Sequence, residues 1–205
     1  METYIAFEWI RELLNAAQDV MGSGPLQHAL VAAGLERLDS LPASGAPDPK
    51  VTVTEFARFN EAIQDQYGSK RAARARLHWI GRALFPLAEE SEQSTLLKLS
   101  RRSMDLMPQK TRIRFILESL VNALKSTNPN LDAWVEQIDG KVAFIDRTCP
   151  VCNQRKSDEP ICYLYEGAIQ KAVHWATGQN LFVHEVECLA KGDPYCRIVV
   201  EDTFS

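Results

Sequence analysis

Apolar residues recur every three or four positions from Tyr4 to Val20, where Ile5, Trp9, Leu13, Ala16 and Val20 share one face; this period predicts an amphipathic helix. Gly22-Ser-Gly-Pro25 interrupts it, and Ser23 or Gly24 is placed to cap a second helix with Pro25 in its first turn. That helix runs through Leu26, Leu30, Ala33 and Leu38. Leu41 to Lys50, with Pro42, Gly45, Pro47 and Pro49, reads as a linker. It divides an expected N-terminal helical arm or dimerisation segment, residues 1–48, from a main domain, residues 49–205.

Beyond the linker, Thr52 and Glu55 have the spacing of a capping box. Phe56, Phe59, Ile63 and Tyr67 form the apolar face of the helix they open, and Gly68 ends it. The next helix is predicted over 69–90. It begins with Lys70, Arg71, Arg74 and Arg76, which read as a solvated face or as a dock for an anionic ligand or acidic partner. Gly81 inside its apolar stretch implies close approach of another element or of a ligand. Arg82, half-buried beside it, requires an acceptor. A short helix from Thr95 to Met107 ends at Pro108, and a longer one from Gln109 to Lys125 carries Ile113, Ile116, Leu117, Leu120 and Leu124 on one face.

The period then changes. Ala133–Ile138, Asp139-Gly140 and Lys141–Asp146 read as a β-hairpin on a type I′ turn, although the first strand does not alternate cleanly. Ile161–Thr177 is a predicted helix ended by Gly178, and Asn180–Cys188 and Tyr195–Glu201 are predicted strands. The expected fold is α+β: a helical first two-thirds packed on a small antiparallel sheet within a β-β-α-β-β unit.

Composition narrows the function classes. The net charge of −4 gives no basic domain of the kind that binds nucleic acid. No apolar run is long enough to span a bilayer, and residues 1–8 lack the basic and apolar regions of a secretory signal, so a cytoplasmic location is expected. In that compartment clustered cysteines read as metal ligands or redox groups before they read as disulfides.

All 5 cysteines lie between Cys149 and Cys196. Zinc takes about four ligands, with thiolates favoured. Two arrangements are open on spacing. In one, the Cys149-Pro-Val-Cys152 pair joins Cys162 and a distal cysteine. In the other, Cys162, Cys188 and Cys196 bind with Glu185, three residues before Cys188. Cys149 and Cys152 outside a metal site read as reduced thiols or a redox pair. No nucleophile–base pair, glycine-rich dinucleotide fingerprint or P-loop is evident, and His174 and His184 near the motif read as packing residues, so the expectation leans away from an enzyme.

Ser157-Asp-Glu-Pro-Ile-Cys162, Gly167 and Val186-Glu-Cys188-Leu-Ala-Lys-Gly-Asp-Pro-Tyr-Cys196-Arg resemble the 4-vinyl reductase domain family. This family also supplies the sensory domain of phenol- and xylene-responsive activators and shares a fold with TRAPP vesicle-tethering subunits. Tyr67-Gly68 and Ile80-Gly-Arg-Ala83 resemble its stand-alone bacterial members. The resemblance implies a zinc ion on Cys162, Glu185, Cys188 and Cys196, and a structural role for it in a closed, cysteine-rich site. It further implies a sensor or carrier of an apolar, aromatic or tetrapyrrole-like ligand, with Trp79, Arg82, Phe115, Trp134, Phe144, Tyr163 and Tyr165 as candidate pocket residues. Association as a homodimer through the N-terminal helices, and a protein partner to receive any signal, follow from the same likeness. The family name keeps a (bacterio)chlorophyll-pathway reductase or accessory protein as the alternative, and the TRAPP likeness keeps a dimeric assembly scaffold.

Overall fold

The computed structural model describes residues 3–39, 48–67, 69–84, 104, 106–128 and 130–201. Most of the predicted linker, Gly68, the end of the helix predicted over 69–90 and nearly all of the predicted helix from Thr95 to Met107 lie outside these residues. The elements in order are β1 (Tyr4–Ile5), α1 (Phe7–Met21), α2 (Ser23–Ala33), β2 (Val51–Thr52), α3 (Val53–Asp65), α4 (Lys70–Leu84), α5 (Gln109–Thr127), β3 (Ala133–Ile138), β4 (Lys141–Asp146), α6 (Tyr163–Thr177), β5 (Phe182–Glu187) and β6 (Cys196–Glu201). This is the expected α+β arrangement, with a helical N-terminal part followed by a β-β-α-β-β unit.

The first helix starts later than its periodicity suggests. Tyr4 and Ile5 instead pair antiparallel with Thr52 and Val51, a long-range contact that no local pattern announces. The second helix ends at Ala33 on Gly34, whose φ of 71° is left-handed, and Leu38 belongs to a short 310 turn. α1 and α2 place Phe7, Ile10, Leu13, Leu26 and Leu30 in the same core cluster as α4, α5, α6 and the sheet. The capping box of α3 is complete: Thr52 Oγ1 accepts from the Glu55 N–H, and the Glu55 carboxylate accepts from the Thr52 N–H.

The main sheet has the order β3-β4-β6-β5 and is antiparallel throughout. Asp139 (φ 50°) and Gly140 (φ 79°) make the type I′ turn. The β3–β4 ladder is regular, and β4 is central, with Val142, Ala143, Phe144, Ile145 and Asp146 all buried. A strand covered on both faces has no reason to alternate, so its sequence reads as a continuous run.

Helices α4 and α6 cross backbone to backbone. A Cβ placed on Gly81 would stand 2.0 Å from the Leu164 carbonyl oxygen, and one on Gly167 would stand 2.0 Å from the His78 carbonyl oxygen. The two glycines are reciprocal notches, which is the close approach that Gly81 implied. The basic start of α4 is engaged within the protein: Lys70 pairs with Glu159, Arg74 with Glu166, and Arg76 donates to the Val20 carbonyl. Arg82 donates to Gln170 of α6 and lies over the Trp79 ring.

His78 sits between Arg74 and Arg82, one turn away on either side. Burial first, then those two cations, lowers its pKa from 6.5 to about 4. The folded state therefore resists protonation: stability is full above the unfolded pKa and is lost as pH falls from 6.5 towards 4. Unscreened, such a shift is worth about 3 kcal/mol; partial solvent access reduces this to about 1–2 kcal/mol. Comparing urea midpoints of the wild type and His78→Gln at pH 7 and pH 5 checks this. The wild type should lose that much more than the variant over the interval, a difference in which acid release of any metal cancels; equal losses would refute it.

Candidate metal centre

Four segments bring metal-binding groups to one place. Cys149 and Cys152 lie in the loop after β4, Cys162 is the N-cap residue of α6, Cys188 follows β5, and Cys196 opens β6. All five thiols are free and buried. Glu185 is turned inward by a bulge in β5, where the ladder to β6 shifts between Glu185 and Glu187. This bulge provides the bend by which Glu185 and Cys188 can face one point. Its Oε2 accepts the Cys162 N–H at 2.8 Å, while its Oε1 is buried without a hydrogen-bond partner.

The loop carrying Cys149 and Cys152 is held down rather than free. Asn153 donates to Thr54 and Arg155 to Gln64, both on α3, and the Ser157 N–H donates to the Ala190 carbonyl. Cys188 begins a tight knuckle: its N–H donates to Asp193, its carbonyl accepts from Lys191, and Gly192 takes φ 94°. The Leu189 N–H points at Cys196 Sγ at 3.5 Å, a donor placed to stabilise a thiolate.

Donor atoms from Cys162, Glu185, Cys188 and Cys196 lie within 4.8 Å of one another, and so do those from Cys149, Cys152, Cys162 and Cys196. The Sγ separations are 3.4 Å for Cys149–Cys162, 3.4 Å for Cys152–Cys196 and 3.7 Å for Cys162–Cys196. Sulfurs about 2.3 Å from a tetrahedral zinc stand about 3.8 Å apart, so these edges fit such an ion. The donor set fits as well. Burial pushes the Cys149 thiol up to about 12 and Cys162 higher still, whereas hydrogen bonds from Cys149 and its neighbours pull Cys152 down. Burial also raises Glu185, against the Cys162 N–H that lowers it. Without a cation this cluster can hold little negative charge; a divalent ion would let several groups ionise together.

A second layer surrounds the donors. Glu166, fully buried on α6, accepts the Glu185 N–H at 2.8 Å and pairs with Arg74 at 3.2 Å. Asp146 accepts from the Thr148 N–H and hydroxyl, with its other oxygen unpartnered, and burial pushes its pKa up to about 6. Sequence reading passed over both carboxylates. Glu166 carried one usable signal, a charged residue one turn after Cys162 on an otherwise apolar helix face.

The candidate pocket residues do not converge. Phe144 and Tyr165 form an edge-to-face pair in the core with ring centroids 5.8 Å apart. Tyr163 is buried beneath Arg74. Trp134 lies against Arg147 and Tyr195, while Trp79 and Phe115 are 58% and 42% exposed on different helices. Among the described residues, the apolar interior near Trp9, Leu131 and Tyr165 holds a cavity of only about 30 Å³. A larger open cleft of about 760 Å³ has polar walls, including Thr52, Asn130, Arg147 and Arg155, and reaches Cys149 and Cys152.

The fold is one seen in H-NOX proteins. The chain is similar to an H-NOX protein from S. oneidensis in the Fe(II)NO ligation state, with a TM-score of 0.59, 11% identity, and 96% of this chain and 98% of that one covered. It is similar to Fe(II) unliganded H-NOX from K. algicida at a TM-score of 0.56 and 12% identity, covering 100% of this chain and 98% of that one. At such identities the likeness is one of fold. The 4-vinyl reductase domain family matches residues 144–202, which hold Cys149 through Cys196, so the chain carries a domain of this family over that stretch, as the motif resemblance implied. An uncharacterised protein of Methanocaldococcus jannaschii is 36% identical over 53 residues, 26% of this chain and 29% of that protein.

Proposed function

We propose that this protein is a small-molecule-binding domain of the sensor or carrier type, in which a structural zinc ion on Cys162, Glu185, Cys188 and Cys196 ties the start of α6 to the ends of β5 and β6. The observation that carries the reading is the convergence of these four donors, buried and mutually within 4.8 Å, inside the stretch that the 4-vinyl reductase family matches. The H-NOX-like fold supports the sensor part, since those relatives were solved with and without a diatomic ligand on Fe(II). A closed, thiolate-rich site suits rigidity rather than hydrolysis. The cleft suits a flat apolar frame bearing polar or anionic substituents, tetrapyrrole-like, better than a bare aromatic, because Arg147 and Arg155 contribute to its walls.

Exposed Trp79 and Phe115, together with the nearly solid apolar interior, favour a second reading: a cytoplasmic scaffold that dimerises through helices and passes signals by contact. One experiment separates the two. Purified protein is extracted with organic solvent, then melted with and without protoporphyrin IX and phenol, and its mass is taken by light scattering. A co-purifying pigment, or a rise of about 5–10 °C at saturating probe, supports binding. No pigment, no shift and a dimer mass would overturn it in favour of the scaffold.

A further inference from the structure

We propose that the cysteine cluster is a two-metal site: a second divalent ion, of the thiophilic class of zinc, binds Cys149 and Cys152 and shares Cys162 and Cys196 with the first. The inference rests on the zinc reading above and extends it. The six donors fall into two sets of four, and the two sets have Cys162 and Cys196 in common. Two tetrahedra that share an edge need six ligands in this pattern: two terminal donors on each ion and two bridging thiolates. Cys149 and Cys152 are the terminal pair on one side; Cys188 and Glu185 are the pair on the other. The shared edge, Cys162 Sγ to Cys196 Sγ, is 3.7 Å, close to the tetrahedral value of about 3.8 Å.

A single ion in either set leaves metal-binding groups stranded. If it sat on the four cysteines, Glu185 would keep a buried oxygen with no partner, which the structure shows at Oε1. If it sat on the set with Glu185, Cys149 and Cys152 would remain as two thiols, 1% and 2% exposed, with Cys149 3.4 Å from Cys162 and Cys152 3.4 Å from Cys196. Two ions employ all six groups and offset four of the six negative charges they would carry. The spacing of Cys149 and Cys152 is that of a thiolate pair turned to one ion, and the loop that holds them is pinned to α3.

The test is metal stoichiometry. Protein purified without chelator is measured by native mass spectrometry and by release of zinc to a colorimetric chelator; both count ions without any assay of activity. Two ions per wild-type chain are expected, one in Cys149→Ser/Cys152→Ser and one in Cys188→Ser. A single ion that survives Cys149→Ser/Cys152→Ser but not Cys188→Ser overturns the second site and leaves the structural zinc standing. A single ion with the opposite pattern, or none in the wild type, overturns both. The wild-type count stands whether or not a variant folds.

Discussion

Gly81→Ala and Gly167→Ala are each expected to lower the free energy of unfolding by about 3 kcal/mol, which for a chain of this size is a fall of roughly 6–12 °C in melting temperature. Alanine normally improves a helix by about 1 kcal/mol over glycine, so the sign itself is the test. It reverses here because each new Cβ would lie 2.0 Å from a carbonyl oxygen of the facing helix. A backbone oxygen cannot rotate aside as a side chain can; α4 and α6 must separate, taking Leu77, Ile80, Leu164 and Ile169 out of close packing. Gly24→Ala in α2, where a Cβ meets nothing within 4 Å, is the control and should be neutral or slightly stabilising. Denaturant unfolding checks all three, and a loss below about 0.5 kcal/mol at both crossing positions would show that the helices yield cheaply.

Metal removal is the second large effect. Cys162 and Cys196 belong to both donor sets, so Cys162→Ser is expected to weaken any metal arrangement. Structural zinc contributes folding free energy directly. Loss of about 5 kcal/mol would lower the melting temperature by roughly 10–20 °C. The wild type treated with a strong chelator should melt near the variant, and the variant should be indifferent to chelator. That indifference separates lost coordination from the cost of a buried hydroxyl, which alone would leave the variant chelator-sensitive. A wild type whose melting ignores chelator would refute a structural metal.

Coupling between the two regions is built into α6. Its N-cap is Cys162, its first turn holds Glu166 against the Glu185 N–H, and Gly167 notches into α4. The same helix therefore joins the candidate metal centre to the helical part through Arg74 and the crossing. The placement of Arg74 shows why a run of basic residues is a weak guide to partners: in sequence it is one of four clustered cations, whereas in the fold it answers a buried carboxylate.

Much of this was legible without coordinates because it depends on near neighbours. Helical periods, the Thr52–Glu55 box, the Asp139-Gly140 turn and the glycine stop at Gly178 are decided within a few residues, where local hydrogen bonds and backbone freedom dominate. The family motif was legible because Cys162, Glu185, Cys188 and Cys196 keep a fixed spacing. Tertiary structure alone decided what depends on distant segments. It paired β1 with β2, buried Glu166 and Asp146, left Trp79 and Phe115 at the surface, and drew Cys149 and Cys152 against Cys162 and Cys196. Sequence spacing states which donors can reach a common turn. Which of them share one ion is set by where β4, β6 and the start of α6 meet, a meeting imposed by packing of the whole core.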